Sequence, residues 1–246
     1  MSLRVEHIMG MPVEIDVRDD DADRAVDAAF DWLRFVDETF STYKPDSEIN
    51  RLQRGELTVA ECHPDVDEVL TRCARLREET DGYFSVRVAG RLDPSGLVKG
   101  WAIAKAADLL GAARARNFSI NAGGDVVVRG GPAPGQAWRI GIRHPLEHDK
   151  VAAVLAARDL AIATSGEYER GAHVIDPHTG RPPTGLLSAT IVGPDLAVAD
   201  AYATATFAMG ESGPAWSATR PGYETLCITA RHEVLTSPGL DRYRVS

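Results

Sequence analysis

Residues 198–210, VADAYATATFAMG, are small and apolar, as the buried stripe of a helix should be, yet they include Asp200, Thr204 and Thr206. On a helix, Asp200 and Thr204 share one face a turn apart. Capping does not require Asp200, because Asp195 in GPD already sits at the natural N-cap. Its neighbours Ala199, Ala201 and Ala203 are too small to shield or pair it. A carboxylate and a neutral hydroxyl, which a main-chain carbonyl can join, make a hard all-oxygen set with room for water and phosphate. Such a set suits Mg²⁺ rather than Zn²⁺.

Three further polar, glycine-bearing segments accompany it: DPSGLVKGWA, NAGGD and TSGEYERGAHVIDPHTG. Glycines at strand ends let backbone N–H groups approach a ligand, and a helix start favours phosphate. Together the segments describe a phosphate-sized site. Neither G-x-G-x-x-G nor G-x-x-x-x-G-K-[ST] occurs, so a Rossmann dinucleotide site and a P-loop lack their fingerprints. Taken singly, each segment also has a plain structural meaning. NAGGD is a turn between strands, Lys99 a solvated helix residue, His173 a hydrogen-bonded structural histidine, and DPHTG a hairpin turn with His178 exposed. His144 and His148 are four apart, but Pro145 and the charged surroundings argue against a zinc-binding helix.

The elements that must hold these residues follow from periodicity. In DDDADRAVDAAFDWLRFVDETF, Val26, Phe30, Leu33 and Val36 recur at helical spacing behind an Asp cluster. A second helix is predicted from Pro64 to about Glu79, with Val66, Val69, Leu70, Cys73 and Leu76 inward and Gly82 beyond its end. A third follows DPSG, with Val98, Ala102, Ile103, Ala106 and Leu110 as its stripe, and the stretch around Asp200 is the fourth. Short β-type runs lie between: FSVRV, FSI, VVVRG, WRIGIR, AAVLAA, LAIATS, AHVID, LLSATIVG and YETLCITA. Several follow one another without a helix, so the expected fold is α+β, with mixed, largely antiparallel sheets and packed helices. Residues 1–246 are expected to form a single domain, built either as one body or as two interwoven α+β lobes.

The 246 residues, 44% hydrophobic, are enough for a substantial core. With 27 Lys plus Arg against 36 Asp plus Glu, the formal charge is −9. No basic run offsets it, so nucleic acid and anionic membranes are poor partners, and an anionic ligand needs a local pocket. The first residues alternate like a strand and no apolar run approaches a membrane span, so a cytoplasmic location is expected. Cys62, Cys73 and Cys227 are scattered and read as free thiols.

The ordered set of motifs resembles the FAD:protein FMN transferases, the ApbE family of flavin transferases. The likeness runs through MGMPVEI, FSTYKPDSEINRL, TDGYFSV, DPSGLVKGWAIAKAADLL, INAGGDVVVRG, WRIGIRHP, ATSGEYER, HVIDPHTGRPP and SATIVGPDLAVADAYATATFAMG. Three segments depart from the family's usual form: MGM stands for M-G-T, Ser85 for an Asp after GYF, and DPSGLVKGW for D-L-G-A-I-A-K-G-Y. The resemblance implies a fold that binds FAD and, with Mg²⁺, transfers FMN to a Thr or Ser of an acceptor protein, releasing AMP. It also implies roles for particular residues. Asp200 and Thr204 would be metal ligands, with the carbonyl near Gly96 as a third, and Asp200 would be catalytic in that sense. Ser41 and Tyr43 would belong to the flavin and adenosine cradle, and Met9 and Gly10 to an early FAD-contacting turn. Lys99, Gly123, Gly124, Asp125, Thr164, Ser165 and Gly166 would lie along the dinucleotide. His173 would contact FAD and receive the acceptor hydroxyl's proton. Such a group with a near-neutral pKa suits that task.

Two other functions use the same residues. With water in place of the acceptor hydroxyl, the site would split FAD into FMN and AMP. A non-catalytic FAD-binding protein would hold the dinucleotide without turnover, but would have no need of His173, Asp200 and Thr204 together.

Overall fold

The computed structural model describes residues 2–88, 90–147, 149–166 and 174–245. Its centre is an eight-stranded sheet in which every strand pair is antiparallel. Strands β1 (Ser2–Ile8) and β2 (Met11–Val17) form a hairpin at one edge, followed in space by β5 (Phe118–Ala122) and β6 (Asp125–Arg129). The sheet continues with β9 (Leu160–Gly166), β10 (Leu186–Gly193), β11 (Glu224–Thr229) and β12 (Val234–Thr236). Two small hairpins stand apart, β3 (Arg87–Val88) with β4 (Arg91–Leu92), and β7 (Trp138–Arg143) with β8 (Val151–Ala157).

The helices are α1 (Asp23–Phe40), α2 (Glu48–Gln53), α3 (Pro64–Glu79), α4 (Ser95–Ala112), α5 (Leu196–Ala208) and the short α6 (Gly213–Ser217). Helix α4 packs against both α1 and α5, and α5 lies against β9 and β10. The opposite face of the sheet is covered by the β7–β8 hairpin. Along β6 and β9, Val127, Ala161 and Ala163 join the helix-side core, while Val126, Val128, Leu160 and Ile162 join the hairpin-side core. Every residue of β9 is consequently buried, as expected of a strand covered on both faces.

Most of the expected elements form, and α3 begins and ends at the expected residues. Asp195 caps α5 by accepting from the amides of Ala197 at 2.8 Å and Val198 at 3.4 Å. Several elements differ from expectation. The first strand is split into β1 and β2 by a two-residue turn, Met9 and Gly10, both at positive φ. Positive φ at both central residues gives the turn whose twist matches a hairpin. The FSVRV run shrinks to β3, and α2 and β12 are additions. In AHVID, Val174 and Ile175 are not in a strand, and Asp176 makes only an isolated bridge with Arg181. Asp176 instead accepts from the His178 amide and the Thr179 hydroxyl, each at 2.9 Å, closing the DPHTG turn and leaving His178 exposed.

The three cysteines are free. Burial pushes the thiols of Cys73 and Cys227 up to about 12, so both are inert as nucleophiles in the folded protein. Among the described residues no helix is long and apolar enough to cross a membrane.

Candidate functional site

Helices α4 and α5 meet at a glycine. A Cβ on Gly100 would lie 2.6 Å from the Leu196 carbonyl oxygen and 2.8 Å from Asp200 Cβ, so only glycine lets the helices approach this closely. The approach has a chemical result. The Gly100 amide donates to Asp200 Oδ2 at 3.0 Å, although its regular helical acceptor is the carbonyl of Gly96, four residues back. One turn on from Asp200, Thr204 Oγ1 is 3.4 Å from Ser165 Oγ on β9. A Cβ built on Gly96 would lie 3.7 Å from the same Thr204 oxygen. Asp200, Thr204 and the Gly96 backbone are thus gathered at one spot, with Asp200 only 2% exposed.

That spot lies in a cleft of about 480 Å³. Lys99 enters it one residue before Gly100, with Nζ 2.9 Å from Asp125 Oδ2 and 3.8 Å from Asp200 Oδ1. Arg87 adds a second cation to the lining, which also carries the carboxylates of Asp93 and Asp200. Thr164 and Ser165 line the β9 side. Thr164 Oγ1 is 2.9 Å from Thr190 Oγ1 on the neighbouring strand.

At the rim stands Tyr43, whose side chain is 92% exposed. Its loop is held by residues the sequence reading overlooked. The Asn50 amide group on α2 donates to the carbonyls of Ser41, Thr42 and Lys44, at 3.3, 3.1 and 2.8 Å. Ser41 Oγ accepts from the Tyr43 amide at 3.2 Å, so Ser41 shapes the loop. Asp93 is a second overlooked residue: it lines the cleft, and its Oδ1 accepts from the Ser95 amide at 3.0 Å as α4 begins. Both belong to segments with visible motifs, FSTYKPDSEINRL and DPSGLVKGW, but neither residue type signals a loop clamp by itself.

The glycine turns lie elsewhere. Gly10, Gly123 and Gly124 line a second cleft of about 780 Å³, between the β1–β2 and β5–β6 hairpins and the β7 strand. Gly123 and Gly124, at φ +58° and +94°, form the same kind of tight turn as Met9 and Gly10, and a Cβ on Gly123 would lie 2.9 Å from Met11 Sδ. Thr164 lines both clefts. Met9 packs half-buried against the core, Gly166 ends β9, and Asp125 is fully buried and lines neither cleft. His173 lies outside the described residues. Among the described residues, no three His, Cys, Asp or Glu side chains gather around a metal-sized point. The oxygen set of Asp200, Thr204 and the Gly96 backbone, one carboxylate with neutral donors, fits a partly hydrated Mg²⁺.

Comparison with known proteins joins this geometry to a family. The ApbE family model matches residues 9–91 and 87–227, which take in all of α4 and α5, the whole lining of the first cleft and that of the second apart from Val5. The chain belongs to the ApbE family. Among ApbE relatives, an FAD:protein FMN transferase of Vibrio cholerae is 35% identical over 49% of this chain and 39% of its own length. One from Rhodobacter capsulatus is 40% identical over 50% of this chain and 25% of its own length. The chain therefore spans well under half of these two relatives in alignment. A Haemophilus influenzae FAD:protein FMN transferase aligns over 73% of this chain and 70% of its own length at 27% identity. The fold agrees with solved ApbE structures. The flavin transferase ApbE from Vibrio cholerae superposes with a TM-score of 0.86 at 23% identity, over 98% of both chains. The ApbE protein of Thermotoga maritima gives 0.89 at 21% identity, over 100% of this chain and 99% of that one.

Proposed function

We propose that this chain is a Mg²⁺-dependent FAD:protein FMN transferase, which moves FMN from FAD to a Thr or Ser side chain of an acceptor protein and releases AMP. The observation that carries the reading is the buried Asp200 carboxylate beside Thr204 and the Gly96 backbone, in a cleft that also holds Lys99. ApbE relatives named as FAD:protein FMN transferases support the same activity.

In the proposed reaction the acceptor hydroxyl oxygen forms a bond to the FMN phosphorus, and the bridging P–O bond of the pyrophosphate breaks. AMP departs with that bond's electron pair. Asp200, Thr204 and the Gly96 carbonyl would hold Mg²⁺, which when bound neutralises charge on the pyrophosphate. Lys99 supplies a fixed positive charge on the same side, and the Thr164 and Ser165 hydroxyls offer donors to phosphate oxygens. The exposed Tyr43 ring offers a flat face at the rim for a flavin or adenine. His173 is proposed as the base that takes the hydroxyl proton.

Intact-mass analysis after incubation with FAD, Mg²⁺ and a candidate acceptor tests this directly. Mass gain equal to FMN on the acceptor, with AMP in solution, is the expected result. FMN and AMP produced together without acceptor modification would make the protein an FAD pyrophosphatase, and no turnover of FAD would leave a binding protein. His173→Ala is expected to keep FAD affinity within roughly tenfold while slowing transfer by on the order of a hundredfold, the usual scale for a lost general base.

A further inference from the structure

Asp125 is expected from the sequence to lie along the dinucleotide, but it is fully buried behind the first cleft. Both of its oxygens are engaged inward. Oδ1 accepts from the Thr164 amide at 3.2 Å, just beyond the last β6–β9 pair, Val126 with Ile162. Among the described residues no hydrogen bond of regular geometry reaches Oδ2, and its partner is the Lys99 ammonium 2.9 Å away. A fully buried carboxylate is costly without such a countercharge. The same ammonium stands 3.8 Å from Asp200 Oδ1.

We infer that Asp125 is a positioning residue that holds the Lys99 ammonium beside Asp200, where Lys99 acts as a resident cation setting how strongly the site draws a divalent metal. The inference rests on the proposed metal site and adds a regulator of its affinity. Among the described residues, two carboxylates and one ammonium leave the cluster with one net negative charge. Lys99→Met adds a negative charge to the cluster and should strengthen metal binding. Asp125→Asn removes one, leaves Asp200 as the ammonium's nearest anion of the pair, and should weaken metal binding. The double variant restores the wild-type sum. A purely structural role for the pair predicts no such opposition, only loss of stability in both single variants.

The test is titration of Mn²⁺, a spectroscopic stand-in for Mg²⁺ at a hard oxygen site, into FAD-free protein, followed by electron paramagnetic resonance of the free ion. At these separations one unit charge should change affinity by on the order of tenfold, tighter for Lys99→Met and weaker for Asp125→Asn. The double variant should return to within about threefold of wild type, the tolerance expected when the charges offset each other. If Asp125→Asn alone fails to fold, the double variant still decides, because it must bind Mn²⁺ more weakly than Lys99→Met. Shifts of the same sign in both single variants, or none, overturn the inference, as does a double variant that matches Lys99→Met. If wild type takes up no Mn²⁺, or Asp200→Asn binds it as well as wild type, the metal site itself is wrong and the inference falls with it.

Discussion

Helices α1 and α5 both support the central core, yet α1 shows its role in every turn of sequence and α5 conceals part of its own. Helix α1 buries Val26, Phe30, Leu33 and Val36 and turns Asp27, Asp31, Arg34 and Glu38 to solvent. Those four polar side chains cost little because water solvates them. Helix α5 is buried almost all round, and only Val198 and Thr204 within it are even half-exposed. Its polar residues therefore each need a reason. Asp200 has one in the Gly100 amide and the neighbouring Lys99, and Thr204 has one in the cleft. An amphipathic helix reports packing, whereas a carboxylate in an otherwise apolar helix calls for a buried partner or a ligand.

The contrast can be broken by substitution. The largest effect is expected from Phe30→Ala on α1, where loss of a fully buried ring costs about 3–5 kcal/mol. For a chain of this size that lowers the melting temperature by roughly 10 °C. Metal and FAD affinity of the remaining folded protein should stay unchanged, as calorimetry below the transition would check. Gly100→Ala should cost less stability, about 1–3 kcal/mol from overpacking, but should also weaken Mg²⁺ and FAD binding by displacing Asp200. Its control is Gly111→Ala near the end of α4, where a Cβ meets nothing within 4 Å. That change should stabilise by roughly 0.4–1 kcal/mol, read as a small rise in melting temperature.

The smallest effect sharpens the comparison within α5 itself. Thr206 Oγ1 is buried with no hydrogen-bond partner among the described residues. Thr206→Val removes an unsatisfied polar atom and should leave the melting temperature unchanged or slightly higher. A loss above about 1 kcal/mol would give that hydroxyl a partner and make Thr206 a second meaningful polar residue on the helix.

The same logic explains how much the sequence disclosed. Helices α1, α3 and α4 were legible from apolar stripes, and α3 and α5 also from their N-terminal signals. Asp200 with Thr204 was legible because the pair breaks an apolar pattern. Helix α2 has six residues and β12 three, too few for periodicity to register. The division into two clefts depends on the β7–β8 hairpin folding over the sheet, a long-range event that no local pattern records. Asp125 illustrates the limit most clearly: NAGGD announces a turn and an acid, but whether that acid faces ligand or lysine is decided by Lys99 reaching it from a helix elsewhere in the chain.

In the proposed reaction, α5 carries Asp200 to hold a metal against the pyrophosphate of FAD. The most direct test of that role is the thermal shift produced by Mg²⁺ in the presence of FAD, measured in wild type and in Asp200→Asn, which keeps the shape and removes the charge. A Mg²⁺-dependent rise is expected in wild type and its loss in the variant, with the variant's metal-free melting temperature close to wild type. An undiminished Mg²⁺-dependent rise in Asp200→Asn would contradict that role.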